Sequence, residues 1–301
     1  DVLASLAVPK STGFSNYWDN VGAIVNRGIE FSATFHAIDR KHFKWTIITN
    51  AARNYNKITS IGVYSEDAVS GGTNDTRVVV GSPVGTNFLV RFSHVDPQTG
   101  RPVYLDINGN PTMNWDPADR FPVGSVLPKA IGGLTNNFRF KQWEFSMLWV
   151  YTIGGNIYNS SGKRQVGVVT DWNMTPEIFD RWRQPGDQAT YPRLTLQTST
   201  YGSGTPWINT TLYLHDGTYA RLRNLSVSYN APEKFAKRLK LHGIRAQFIA
   251  TNILTFTKYP GLDPEIARDF EDATDRNMSP NIVYLTPPQE MTFNIGLNLS
   301  F

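Results

Sequence analysis

The residues best suited to chemistry are scattered through this chain, and none of them falls into a recognised catalytic or metal-binding spacing. His36, His42, His94, His215 and His242 never stand in an HExxH arrangement, so no pair of imidazoles shares a helix face with a carboxylate to grip a metal. Asp106-Ile-Asn-Gly-Asn110, with Asp116 and Asp119 downstream, faintly resembles a calcium loop. It lacks the alternation of ligands and the terminal Glu that such a loop needs, and a plain Asn-Gly turn is the stronger reading. There is no GxGxxG, no phosphate-binding loop and no GxSxG. With no cysteine, disulfides, thiolate metal sites and a Cys nucleophile are excluded. A glycan-cleaving enzyme would need two carboxylates across a cleft, and nothing in the spacing marks such a pair. No catalysis and no cofactor are expected.

Two other sets of residues are candidates for binding. Trp172, Trp182, Tyr191, Tyr201 and Trp207 sit in an aperiodic stretch, and their rings offer a broad apolar face with a polar tip for stacking on sugars or on a partner protein. Packing of the loops among themselves is the competing reading. Glu30, Arg139, Lys141 and Glu144 fall on or near the polar faces of strands. They would line an aqueous or protein-filled interior, or mark the charged ends of ordinary strands.

The elements that must position these residues read as β-strands. From Met291 to Phe301 every odd position is apolar and every even one is small or polar, which gives a strand with one greasy face. Ten steps of that strand cover about 33 Å, or about 25 Å at the tilt of a barrel. The same alternation runs from Val25 to Ala37 and from Phe43 to Ala51, with a polar break at 39–42; together they predict a hairpin. A second hairpin is predicted over Ala130–Phe140 and Trp143–Thr152, whose last arm shows Trp143, Phe145, Met147, Trp149 and Tyr151 on one side. Aromatics at both ends of that row stand roughly 20 Å apart vertically, the spacing of two aromatic girdles. Tyr219–Tyr229 is a strand with a phase slip near Arg223, Ala231–Leu241 a short helical segment, and Ile244–Phe256 a further strand.

Between them lie long stretches without a period. Asp1–Val21 reads as irregular with an edge strand or two, and 56–83, 108–127, 154–217 and 258–287 as loops. The first and second of these loops flank strands at Val84–Val95 and Pro102–Ile107, joined by the turn Asp96-Pro-Gln-Thr-Gly100. About nine strands result. Short breaks alternating with long ones suit an antiparallel barrel with inner turns and long outer loops, and a loop of sixty residues argues against a compact soluble domain.

Composition agrees. Aromatic residues make up 13% of the 301, with 8 Trp, 13 Tyr, 24 Gly and 18 Pro, and no apolar run of about 18 residues makes a membrane helix. A net charge of +4 without a basic block gives no support to a nucleic-acid partner. The chain begins with Asp and shows no signal peptide, so a mature piece or fragment is expected.

Particular segments carry a resemblance. They include Asn26-Arg-Gly-Ile-Glu30, Gly81-Ser-Pro-Val-Gly85, Asp96-Pro-Gln-Thr-Gly100, Gly132-Gly-Leu-Thr-Asn136 and Arg183-Gln-Pro-Gly-Asp187. Tyr219-Ala-Arg-Leu-Arg-Asn224, Thr251-Asn-Ile-Leu254 and Tyr259-Pro-Gly-Leu-Asp-Pro-Glu265 complete the set. In this order the whole chain resembles the carboxy-terminal half of the SusC/RagA family of TonB-dependent outer-membrane transporters of Bacteroidetes. The resemblance implies a 22-stranded barrel of which residues 1–301 supply about nine transmembrane strands and long extracellular loops. It implies an active importer of oligosaccharides or peptides whose plug domain, TonB box and earlier strands are expected outside this sequence. The implied partners are the rest of the same barrel, the TonB complex acting through the plug, and a SusD-like surface lipoprotein as lid. On that reading the loop aromatics contact cargo or lid, the four charged residues face lumen or plug, and the terminal Phe301 resembles a barrel-assembly signal. The alternative is a secreted soluble β-sandwich or propeller that binds glycans, its apolar rows packed between two sheets.

Overall fold

The structure is a computed structural model that describes residues 2–7, 10–13, 16–66, 76–166, 168–169, 173–196, 210–265, 282–283 and 286–301. Along the chain, β1 (Val2–Ala7) and the long β2 (Asn16–Asp39) lead into β3 (Phe43–Ser60). A long connection then carries β4 (Thr76–Arg77), β5 (Thr86–Val95), β6 (Pro102–Leu105), β7 (Pro111–Thr112) and β8 (Arg120–Ser125). The hairpin β9 (Ala130–Phe140) and β10 (Trp143–Ile153) follows, and a second long connection holds β11 (Asn156–Asn159), β12 (Val168–Val169), β13 (Thr195–Leu196) and β14 (Leu214–Asp216). After β15 (Tyr219–Asn230) comes the helix α1 (Glu233–Arg238), then β16 (Gly243–Thr257), the short β17 (Ile282–Val283) and β18 (Thr292–Ser300).

Eight of these strands form one antiparallel sheet in the order β1-β2-β3-β9-β10-β15-β16-β18. The sheet is open among the described residues, with β1 and β18 at its edges. Strands predicted at 84–95 and 102–107 exist as β5 and β6, but they pair in a separate sheet within the first long connection, so the count in the large sheet is eight.

From β2 onward the connections alternate in length. Segments 40–42, 141–142 and 231–242 are short and lie at one end of the sheet; 61–129, 154–218 and 258–291 are long and lie at the other. An antiparallel meander forces this, because successive turns fall at opposite ends.

Within 1–21 the expected edge strand is β1, and β2 begins at Asn16. Two expectations change. β3 runs on through Asn54 and Asn56 to Ser60, where a loop is expected from 56. Asn is a poor strand former, yet here Asn56 donates to Asn26 Oδ1 on β2 at 2.5 Å and accepts from the Val84 amide at 2.7 Å. Beyond them Ile58 is buried with Val78. Cross-strand amide bonds and one apolar anchor thus extend the ladder past the sequence signal. Finally, the long connections are not bare loop. β11 and β14 of the second pair with each other and β11 with β17 of the third, while Phe92 of the first donates its amide to Thr211 of the second at 2.9 Å.

The buried core lies in this loop layer. Leu89, Tyr158 and Tyr213 pack together with Val123, Tyr191, Leu212 and Leu214 around them, and Tyr213 donates its hydroxyl to the Val166 carbonyl at 3.1 Å.

Candidate functional site: the two faces of the sheet and its rims

Register decides which side chains share a face, since paired residues project to the same side. Across β2 to β18 one set reads Phe31–Ala51–Gly132–Tyr151–Ala220–Phe256, and another Trp45–Phe138–Phe145–Val227–Phe248–Ile295. Between them run Leu134–Trp149–Leu222–Leu254 and Met147–Leu225–Ala250–Phe293. One continuous apolar face therefore spans seven strands, and it is uncovered: Ile29, Phe31, Phe145, Phe293, Ile295 and Leu297 are all exposed. Trp45 and Trp149 on the same face are half-buried among aromatic neighbours, with Trp45 5.5 Å from Phe138 and Trp149 6.0 Å from Phe256. Among the described residues no second sheet packs on these rows, contrary to what a soluble sandwich requires.

Two polar side chains on this face bond within it. Asn136 accepts from the Trp45 indole at 3.1 Å, and Thr49 donates to the Gly133 carbonyl at 3.2 Å. Polar groups facing hydrocarbon need internal partners. Near the short turns the face is girdled by Phe43, Trp45, Phe138, Phe140, Trp143 and Tyr229, with Trp143 and Tyr229 4.8 Å apart.

The opposite face is more polar, with Ile48, Leu148 and Val150 also on it, and it collects two of the four charged residues singled out from the sequence. Glu144 stands 2.9 Å from Arg245 and 3.9 Å from Arg139, and Arg245 also donates to Ser228 and Asn230. Glu30 lies apart, in a hollow of about 660 Å³ that it lines with Asn50, Ile131, Tyr219, Arg223 and Glu265. Lys141 belongs to neither group. It occupies the β9–β10 turn at φ +52 with its ammonium 5.4 Å from the Phe140 ring.

Beside the hollow is a cluster that sequence reading missed. Arg221 is buried and stands 2.5 Å from Asp263 and 2.9 Å from Glu265, while Arg223 also pairs with Glu265. Arg223 donates to Asn252 at 3.1 Å and to Gln289 at 2.7 Å, and Asp263 accepts from the amides of Glu265 and Gln289. The phase slip at Arg223 is what makes it possible: a register shift between Leu222 and Asn224, with Asn252 opposite it at φ +55, puts a bulge where both arginines converge. Burial pushes the Asp263 carboxyl up, but the Arg221 guanidinium and the two amides outweigh this and hold it below the usual carboxylate range. The usable signal was Arg-Leu-Arg on a strand facing Asp-Pro-Glu in a loop, opposite charges at matching i, i+2 spacing.

Among the aromatics, Trp182 donates its indole to the Pro97 carbonyl at 2.8 Å and lies against Gly100, which has φ +68. This joins two motifs, because Gly186 of Arg183-Gln-Pro-Gly-Asp187 also donates to Pro97, at 2.8 Å, and Arg193 to Gly100, at 2.9 Å. Tyr191 is half-buried against the Leu89 cluster, and burial, with Glu177 and Asp180 nearby, raises its hydroxyl pKa. Trp172, Tyr201 and Trp207 lie outside the described residues. Asp106 forms a turn, accepting from the amides of Asn108 and Asn110 around Gly109 at φ +89. Among the described residues no three His, Asp or Glu side chains gather around a point that could hold a metal.

The chain is similar over its whole length to known proteins. It is 27% identical to the TonB-dependent receptor P3 of Formosa agariphila, covering 100% of this chain and 31% of that protein. With the TonB-dependent receptor SusC of Bacteroides thetaiotaomicron it shares 26% identity, covering 100% of this chain and 29% of that one. In fold it is similar to a chain of the RagAB peptide transporter, at a TM-score of 0.78 and 21% identity over 98% of this chain and 31% of that chain. A chain of the RagAB peptide importer in its closed-closed state gives 0.78 and 22%, over 100% and 32%. No family model matches. The chain spans about a third of the length of the curated relatives it matches.

Proposed function

We propose, from its place in the SusC/RagA family of TonB-dependent receptors, that this chain supplies membrane-spanning wall strands and outer loops of an outer-membrane importer and carries out no catalysis of its own. The observation that carries this reading is the apolar face, uncovered among the described residues, running through seven strands, backed by a more polar face and bounded from β2 onward by alternating short and long connections. A sheet of that design is stable where lipid covers one face and water or protein the other.

The finer assignments follow. Residues 1–301 form the carboxy-terminal part of a 22-stranded barrel, and the polar face, with Glu30, Arg139 and Glu144, turns to the lumen and to a plug supplied by the rest of the protein. TonB acts through that plug. The long connections face outward, where Trp182 and Tyr191, with Trp172, Tyr201 and Trp207, contact cargo or a lid. The relatives' name RagAB and its description as a peptide importer favour a SusD-like lid and peptides or glycans as cargo.

Because this chain has no cysteine, scanning the full-length receptor with single cysteines is a direct test. Phe145→Cys, Phe293→Cys and Leu297→Cys should react with a lipid-soluble maleimide and resist a charged one. Ser146→Cys and Asn294→Cys should behave the opposite way. Equal labelling of both sets by the charged reagent would refute the lipid-facing assignment.

A further inference from the structure

We infer that the short-turn rim is a binding surface for the anionic head groups of membrane phospholipids. The inference rests on the outer-membrane reading above, which turns this rim toward the phospholipid leaflet. Three turns that are far apart in sequence meet there. Residues 39–44, 139–144 and 233–245 together hold ten Lys and Arg against three Asp and Glu, whereas the whole chain is only +4. The rest of the chain is thus net negative, and its net positive charge lies in these three turns.

The three acids are already engaged. Asp39 pairs with Lys44 at 2.6 Å, Glu233 with Lys237 at 2.5 Å, and Glu144 with Arg139 and Arg245 on the inner face. Arg40, Lys41, Lys141, Lys234, Arg238 and Lys240 are exposed and meet no acid within ion-pair distance among the described residues. Six cations in a row repel one another unless an anionic surface faces them.

Two independent features say which surface. The helix α1 between β15 and β16 presents Phe235 and Leu239, 52% and 55% exposed, one turn apart, with Lys234, Lys237, Arg238 and Lys240 around them. This is the composition of a helix lying in a lipid interface, its rings in the acyl boundary and its lysines reaching to the phosphates. A soluble acidic partner would not require that pair.

Backbone conformation supplies the second feature. Lys141 has φ +52 and Lys240 φ +57, and with Asn252 they are the only non-glycine residues of positive φ among those described. Glycine fits that conformation without strain, and both turns instead carry a charged side chain there.

The test uses the full-length receptor, reconstituted in phosphatidylcholine vesicles with spin-labelled phosphatidylglycerol or spin-labelled phosphatidylcholine, to measure relative association at the protein boundary. Wild type should prefer the anionic lipid several-fold, with the preference shrinking in 0.5 M salt. The double variant Lys141→Gly, Lys240→Gly should lose most of that preference, while its barrel stays folded by heat-dependent gel migration. Phe235→Ser with Leu239→Ser should weaken association of both lipids near the rim. A wild type without preference, or a double variant that keeps it, overturns the inference. A receptor that needs no detergent overturns the membrane reading beneath it, so the two failures are distinguishable.

Discussion

Trp45 on β3 hands its indole hydrogen to Asn136 on β9 at 3.1 Å, across the apolar face. An amide in hydrocarbon without that donor leaves a polar group unsatisfied. Trp45→Phe should therefore destabilise the full-length receptor by about 1–2 kcal/mol in denaturant unfolding in detergent. Asn136→Leu should be close to neutral, and adding Trp45→Phe to it should cost much less than Trp45→Phe alone. Additive costs would mean that the pair is not coupled.

Met147 sits midway along β10, between the aromatic ends of its row, and Ser146 beside it points to the polar face. Met147→Arg should cost about 2–4 kcal/mol, as expected of a charge at the bilayer midplane. Ser146→Arg should cost less than about 1 kcal/mol. Similar costs at both positions, measured by the same unfolding assay, would remove the distinction between the faces.

Much of this arrangement is legible in the residues alone. Period-two rows mark β2, β3, β9, β10, β16 and β18, because alternation of side chains is a local property of a strand. The slip at Arg223 shows as a break in phase. What escapes is set by pairing at a distance. The run from Asn54 to Ser60 looks like loop until its amide partners on β2 are known, and β11, β14 and β17 are three or four residues or fewer, too short to show a period. Arg221 and Asp263 are 42 residues apart, and the basic turns about 100. Neither the ion cluster nor the charged rim is a block in sequence, so scattered Lys and Arg conceal a collected surface.

Trp182 rests on Gly100 and bonds to Pro97, which makes it a brace between two loops. A Cβ at position 100 would overlap the indole, and φ +68 disfavours any side chain there. Gly100→Ala should displace Trp182 and speed limited proteolysis of the loop around 183–193, leaving gel migration of the barrel unchanged. If Trp182→Ala lowers cargo binding while the loop stays as resistant as in wild type, the ring acts on cargo and not as a brace.

Among the described residues Arg221 and Asp263 form the most deeply buried charge pair, with side chains 4% and 5% exposed. Arg221→Met leaves Asp263 buried without its cation and should cost about 3–5 kcal/mol at pH 7. The pH dependence follows from the lowered pKa of Asp263. Its folded value lies below the unfolded value of about 3.9, so its stabilisation is complete above that pH and disappears as pH falls through the folded value. In the variant Asp263 gains by protonation, so the gap between variant and wild type should narrow from pH 7 to pH 3 in thermal melts of the full-length receptor in detergent. A gap of constant size across that range would mean that Arg221 contributes through packing and that its pairing with Asp263 is not what holds the loop to the bulge.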